Sequence, residues 1–321
     1  MTQLPIPLAR VLLHPYFRLT FHHRVPWPVQ RVLLSAGSRL QPLPRGTSVY
    51  RLRLGERPAE RISVGAADRA DGAPHGAVLY LHGGGYTVGG PVTHRSLAAH
   101  LSRAIRRPVY LLDYRLAPEH PCPAAVEDTI AAFDALACLE GTGAGSLALA
   151  GDSAGGGIAL ATAQQLLAER GERPAALALI SPWANPNETA DQKRDLVVNR
   201  SWGLACGAAY LGDGDPADPR FAPLLGPLEG LPPTYLHTNT RELLYAQCQA
   251  LGVALRRAGV PVRYVESPSL WHAAQAQAGL VREAAESLRD VGNFLMTVWS
   301  AQARPGPGER DQSVEVTSPG A

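Results

Sequence analysis

The sequence predicts an α/β fold: a mostly parallel, eight-stranded sheet with helices on both faces. Three observations carry that expectation. From Ala77 onward, short aliphatic or β-branched runs alternate with helical stretches, as a doubly wound parallel sheet requires. Two of those runs end in glycine-rich turns, His82-Gly83-Gly84-Gly85 and Gly151-Asp152-Ser153-Ala154-Gly155-Gly156. The chain has 321 residues, 45% of them hydrophobic, enough to bury a large single core.

Taken in order, residues 1–45 show helix-like apolar spacing punctuated by seven prolines, from Pro5 to Pro44. They read as two or three short helices packed on another part of the molecule. Segments 50–54 and 61–64 alternate like strands and suit an antiparallel edge. Six further strands are expected at 77–81, 109–113, 147–151, 176–181, 234–238 and 262–266. Helices are expected near 94–106, 123–139, 154–170, 242–258 and 276–299, with Thr93 as an N-cap and Pro123 in a first turn.

One interval breaks the alternation. Between Pro182 and Pro233 the chain is too long for a simple crossover. It contains a candidate helix around 199–211 and a loop rich in Asp and Pro. The expected organisation is therefore a core of residues 46–182 and 231–300, capped by residues 1–45 and an insertion at 183–230. A disordered tail is expected over 301–321, which is rich in Gly, Pro, Ser and charge.

Composition excludes several classes. Thirty basic and 28 acidic residues leave a formal charge of +2, no strong overall field for nucleic acid or an anionic membrane. The single lysine, Lys193, amid many arginines fits a genome-wide composition bias. Cys122, Cys138, Cys206 and Cys248 have neither C-x-x-C spacing nor histidine pairing for zinc, so no metal or other cofactor is implied. No signal-peptide layout or membrane-length apolar run is read, and a cytoplasmic location is the expectation. A lipid surface beneath the Arg- and His-bearing N-terminal helices is the alternative, and a homodimer is compatible with the sequence.

Ser153 is the candidate nucleophile. The G-x-S-x-G form forces its serine onto a sharp strand-to-helix bend and exposes Oγ, while the following helix points its positive end at the site. Gly83 and Gly84, joined by the N–H of Ala154, are the candidate oxyanion donors, because glycines let the backbone approach a developing charge. His82 precedes its turn at a strand end and is read as a loop-holding residue. An ordinary glycine-rich αβ turn or a phosphate loop is the bland reading of a lone G-x-S-x-G.

Open parallel sheets place their sites at strand carboxyl ends, so the base should follow another strand. Among ten histidines His272 fits best, a short loop beyond 262–266. His22, His23, His94, His120 and His237 read as solvated or packed. The acid should follow the preceding strand, and Glu242 is the carboxylate there. Its bland reading is a first-turn glutamate complementing a helix dipole.

These pieces carry a resemblance. The motifs His82-Gly83-Gly84-Gly85-Tyr86, Asp113 to Pro121 (DYRLAPEHP) and Gly151 to Gly156, with Ser181-Pro182-Trp183 and Trp271-His272, resemble the hormone-sensitive-lipase-like bacterial carboxylesterases of the α/β-hydrolase fold. The resemblance covers roughly residues 45–300. It implies hydrolysis of small carboxylic esters, with a preference for short to medium acyl chains, through an acyl-enzyme formed on Ser153. It also implies that Asp113, Arg115 and Glu119 hold a loop. Two departures stand out. Glu242 replaces the usual Asp, with Ala246 where a second carboxylate is customary, and Asn239 replaces a customary glycine. A lactonase or amidase with the same triad is the alternative, as is a non-catalytic ligand receptor like the plant gibberellin receptors.

Overall fold

An antiparallel hairpin, β1 (Thr47–Leu54) and β2 (Arg57–Val64), opens the sheet in the computed structural model, which describes residues 3–65, 76–188 and 195–302. Then follow β3 (Ala77–Leu81), β4 (Val109–Leu112), β5 (Leu147–Asp152), β6 (Ala176–Ile180), β7 (Thr234–Asn239) and β8 (Val262–Ser267). The eight strands form one sheet in the order β1-β2-β4-β3-β5-β6-β7-β8. Only the pairings of β2 are antiparallel; β4 to β8 run parallel, as the α/β prediction requires.

The central strands are buried on both faces, so they read as continuous apolar runs. Ala77, Leu79 and Leu81 of β3 face one core cluster, and Val78 and Tyr80 face the other. The first cluster is completed by α4 (Ala124–Glu140), α5 (Ala154–Arg170) and α7 (Tyr245–Arg257). The second is completed by α3 (Pro91–Ile105) and α8 (Arg282–Gln302). Residue Gly155 explains how α5 sits so close to β3: a Cβ there would collide with the carbonyl oxygens of Leu81 and His82.

Element boundaries differ from expectation where local hydrogen bonds decide. Helix α3 begins at Pro91, and Thr93 lies inside it, its hydroxyl accepting from Gly90 N–H at 3.2 Å and donating to Gly90 O at 2.6 Å. Helix α7 starts at Tyr245, which leaves Glu242 in the preceding turn instead of a first helical turn. A 3₁₀ turn, Ala274–Gln277, replaces the expected start of α8. The four cysteines are unpaired.

Three elements outside the sheet layers pack on one another: α1 (Ile6–Thr20), α2 (Trp27–Arg39) and α6 (Arg200–Leu211). The Phe21 ring lies 4.7 Å from that of Trp202, and the Trp202 indole N–H donates to Gln30 Oε1 at 2.8 Å. Asn199 caps α6 by accepting from Trp202 N–H, while its amide donates to Phe21 O at 2.7 Å. No helix among the described residues is long and apolar enough to cross a membrane. The expected tail, beyond Ala301 and Gln302 at the end of α8, and Lys193 lie outside the described residues.

Candidate active site

Residue Ser153 sits between β5 and α5 with φ 52° and ψ −122°, a conformation that side-chain-bearing residues rarely adopt. Such backbone strain costs about 1–3 kcal/mol and persists only where surroundings over-determine it. Here Ser153 N–H donates to Ile180 O at 2.9 Å, and its carbonyl accepts from Trp183 N–H at 2.8 Å. The turn is thereby pinned to the end of β6.

Three predicted residues, distant in sequence, come together at this bend. The Oγ of Ser153 lies 2.9 Å from His272 Nε2, and His272 Nδ1 lies 3.2 Å from Glu242 Oε2. All three side chains are buried, with Glu242 only 1% exposed. A buried carboxylate is costly unless its lone pairs are used. Both oxygens of Glu242 are used: Ser181 Oγ donates to Oε2 at 2.6 Å and Thr238 Oγ1 to Oε1 at 2.7 Å.

Burial opposes the charged form of Glu242, but its bonds to His272, Ser181 and Thr238 outweigh that, and its pKa falls below the usual glutamate value. Burial likewise works to lower the His272 pKa. The hydrogen bond and charge of Glu242, with the charges of Asp195 and Asp152 behind it, reverse the sign, and the net shift is upward. An imidazole so placed can serve as a base toward the Ser153 hydroxyl.

Beneath the serine is a network that sequence reasoning missed. Asp152 Oδ1 accepts from Tyr80 OH at 2.9 Å and from Gly83 N–H at 3.1 Å, and lies 3.0 Å from His94 Nε2. His94, read from sequence as a bland helix-start histidine, is buried here with its Nδ1 2.7 Å from Thr93 Oγ1. The expectation for Gly83 needs correction on this point. Its N–H is already committed to Asp152, so the turn's unengaged amides fall one residue later, at Gly84 and Gly85. Gly84 holds φ +131°, open to glycine, and both residues line the same cavity as Ser153. Ala154, the first residue of α5, has the orphan N–H typical of a helix start.

His82 is a loop-holding residue in this structure. Its Nδ1 lies 2.9 Å from Gly83 O, its carbonyl accepts from Tyr114 OH at 2.6 Å, and its ring stacks on Tyr114. Burial, with His94 beside it, pushes its pKa down to about 3, so it is neutral. The segment from Asp113 to Pro121 also clamps: Arg115 binds the Asp128 carboxylate through its backbone and guanidinium, and Glu119 receives two bonds from Arg31 of α2. Asp113 contributes its carbonyl, which accepts from Arg57. His237 is packed inside β7 beside Gln275.

A cavity of about 320 Å³ opens at Ser153 and His272. Its far walls are apolar: Leu13, Phe17 and Leu34 from α1 and α2, and Val197, Val198 and Trp202 from the 183–230 segment. Asp195, which sequence reasoning did not single out, ties that segment to the Glu242 turn. It accepts from Val197 and Val198 N–H at 2.8 and 3.0 Å and from Leu243 N–H at 2.7 Å.

A serine bend after β5, a carboxylate after β7 and a histidine after β8 of an eight-stranded α/β sheet form a pattern with known relatives. A family model described as an α/β-hydrolase fold matches residues 78–276. The chain is 36% identical over 256 residues to an acetyl-hydrolase of Streptomyces hygroscopicus, covering 76% of this chain and 84% of the relative. It is 34% identical over 291 residues to the carboxylesterase/phospholipase LipF of Mycobacterium tuberculosis, covering 82% of this chain and 77% of that one. The crystal structure of an esterase from the bacterial hormone-sensitive lipase family superposes with a TM-score of 0.83 at 32% identity, covering 93% of this chain and all of the esterase. The chain belongs to the hormone-sensitive-lipase-like carboxylesterases of the α/β-hydrolase fold. Within this hydrolase, the acid position carries Glu242, followed by Ala246 where the family resemblance led us to expect a second carboxylate. Its neighbour Gln247 accepts from the Ala184 and Asn185 amides at 2.9 and 3.1 Å.

Proposed function

We propose that this chain is a serine carboxylesterase that hydrolyses small carboxylic esters by way of an acyl-enzyme. The observation that carries the reading is the aligned row Ser153 Oγ, His272 Nε2, His272 Nδ1, Glu242 Oε2, opening on an apolar cavity. His272 takes the proton of Ser153 as Oγ attacks the ester carbonyl, and the carbonyl oxygen becomes an oxyanion. The N–H groups of Gly84, Gly85 and Ala154 hold that charge; one such donor is worth about 3–4 kcal/mol. His272 then protonates the departing alcohol, leaving an acyl group on Ser153. Water, deprotonated by the same imidazole, releases the acid and restores the serine. Glu242 keeps His272 in the tautomer that presents Nε2 to the serine and stabilises the imidazolium.

Residues 1–45 and 183–230 act as the cap, since α1, α2 and the Val197–Trp202 stretch supply the apolar walls. The cavity stands near the small end of ligand pockets, which run from about 300 to 1,000 Å³. Short to medium acyl chains fit it best.

The test is a p-nitrophenyl ester series from acetate to palmitate, run beside an organophosphate titration. The wild type should turn over the short and medium esters fastest and label stoichiometrically, and Ser153→Ala should do neither. Wild-type turnover by Ser153→Ala would overturn the nucleophile assignment. Palmitate as the fastest ester would overturn the chain-length reading alone.

A further inference from the structure

The outer faces of α1 and α2 play no part in the cavity. On α1, Leu8, Val11, Leu12 and Leu19 are between 47% and 71% exposed; on α2, Val29 and Val32 are 47% and 67% exposed. At about 100° per residue, Leu8, Val11, Leu12, Pro15 and Leu19 fall within a single arc of about 100°. Ala9, Phe17 and Thr20, on the other side of α1, are buried. Val29, Val32 and Ala36 make a second stripe on α2, again opposite its buried residues Gln30 and Leu34. A surface helix normally keeps one apolar face; α1 keeps two, one turned inward to the cavity and one left in water.

The charge carried by these helices themselves has one sign. The first 55 residues contain eight arginines and no aspartate or glutamate. The other 266 residues hold 22 basic against 28 acidic groups, so the whole-chain balance of +2 conceals a positive end. Arg18 and Arg39 fall at the edges of the two stripes, and Arg24 lies in the turn between the helices. All three are exposed, and none forms an ion pair among the described residues. A second copy of the chain fits this face poorly. An isologous contact would press arginine against arginine, with no carboxylate in the segment to offset them.

We propose that the outer faces of α1 and α2 dock on an anionic phospholipid surface, with the apolar stripes at the acyl–headgroup boundary and Arg18, Arg24 and Arg39 among the phosphates. Helices with exposed apolar residues and a basic border lie in this plane, bound jointly by apolar burial and charge. Docking would leave the cavity, lined by the inner side of the same helices, one helix layer away from the membrane.

The experiment is flotation of the full chain with vesicles of phosphatidylcholine alone and of phosphatidylcholine mixed with phosphatidylglycerol. The expected result is about tenfold more bound protein on the mixed vesicles, falling steeply as salt screens the charge. A Val11→Asp, Leu19→Asp, Val32→Asp variant should melt at the wild-type temperature yet lose flotation. An Arg18→Gln, Arg24→Gln, Arg39→Gln variant should lose the preference for phosphatidylglycerol. Absent flotation of the wild type, or unchanged flotation of the aspartate variant, overturns the proposal. So does a wild-type dimer in sedimentation that the aspartate variant converts to monomer, which would assign the face to a second copy. None of these readouts depends on ester hydrolysis.

Discussion

The turn that carries Ser153 and the helical pair α1–α2 face each other across one cavity, yet they are built on opposite principles. At the turn, β5 is buried along its whole length, and every residue of α5 from Ala154 to Gln164 is buried as well. Backbone hydrogen bonds to Ile180 and Trp183, at and just beyond the end of β6, fix the bend there. In the helical pair only Ala9, Phe17 and Thr20 of α1 and Gln30 and Leu34 of α2 are buried. A handful of long tethers hold it: Arg10 to the Ser269 carbonyl at 2.7 Å, Arg31 to Glu119, and Leu4 N–H to Leu280 O at 2.8 Å. The proposed chemistry thus rests on a densely bonded backbone, and the facing apolar cavity wall on a lightly anchored layer.

Substitutions on the two sides should separate accordingly. The largest effect belongs to Ser153→Ala, expected to lower kcat by at least about 10⁴-fold with little change in melting temperature. If that loss came instead from unfolding, circular dichroism would show it, and the contrast between the two regions would fail at its strongest point. Next comes Glu242→Gln, expected to cost about 10³-fold in kcat because the imidazole loses its orienting anion.

The same substitution has a sign that pH can read. In the proposed mechanism neutral His272 is the active form, and the Glu242 charge raises its pKa, so activity should be lost as pH falls through a value above that of an ordinary histidine. Replacing Glu242 by glutamine removes the raising influence and leaves burial to act, so the acid limb of the kcat/KM profile should move to lower pH. A limb that stays in place would show that Asp195 and Asp152 set the His272 pKa.

Smaller effects are expected in the helical pair. Phe17→Ala cuts back the apolar wall, enlarges the cavity and should shift the ratio of kcat/KM between hexanoate and acetate esters by about tenfold toward hexanoate, leaving the pH profile where it is. Arg31→Ala removes a partly exposed ion pair and two bonds to backbone carbonyls, from Arg31 to Thr87 O at 2.8 Å and Ala117 O at 3.0 Å. It should lower the melting temperature by about 2 °C and change kcat less than twofold. A large kcat loss there would mean that the layer positions the chemistry as well as the substrate.

The parts of this arrangement visible in the sequence are those written locally. The strands from β3 to β6 show as apolar runs because a sheet buried on both faces needs them, and the Ser153 bend shows because its small residues are adjacent in the chain. Placement of Glu242 and His272 follows from a rule about strand ends, which fixes position to within a loop. What could not be read depends on pairing at long range. The bond of Gly83 N–H to Asp152 joins residues 69 positions apart, and it moves the unengaged amides of the turn by one residue. Asp195 reaches Leu243 across 48 positions, from a segment with no periodicity to mark it. The positive N-terminal end was present in the sequence throughout, but a balance taken over the whole chain averages it away.

The carboxylate of Asp152 binds Tyr80 OH, Gly83 N–H and His94 at once, all through Oδ1. Heredity has to keep these partners matched. Exchange of segments with a relative at any crossover between residues 95 and 151 would unite one parent's first glycine turn with the other's nucleophile. Chimeras joined there should fold and yet be slow unless both parents supply the same buried tyrosine, histidine and aspartate. Junctions before Ala77 or after Arg170 leave the group whole and are the natural places to trade one substrate preference for another.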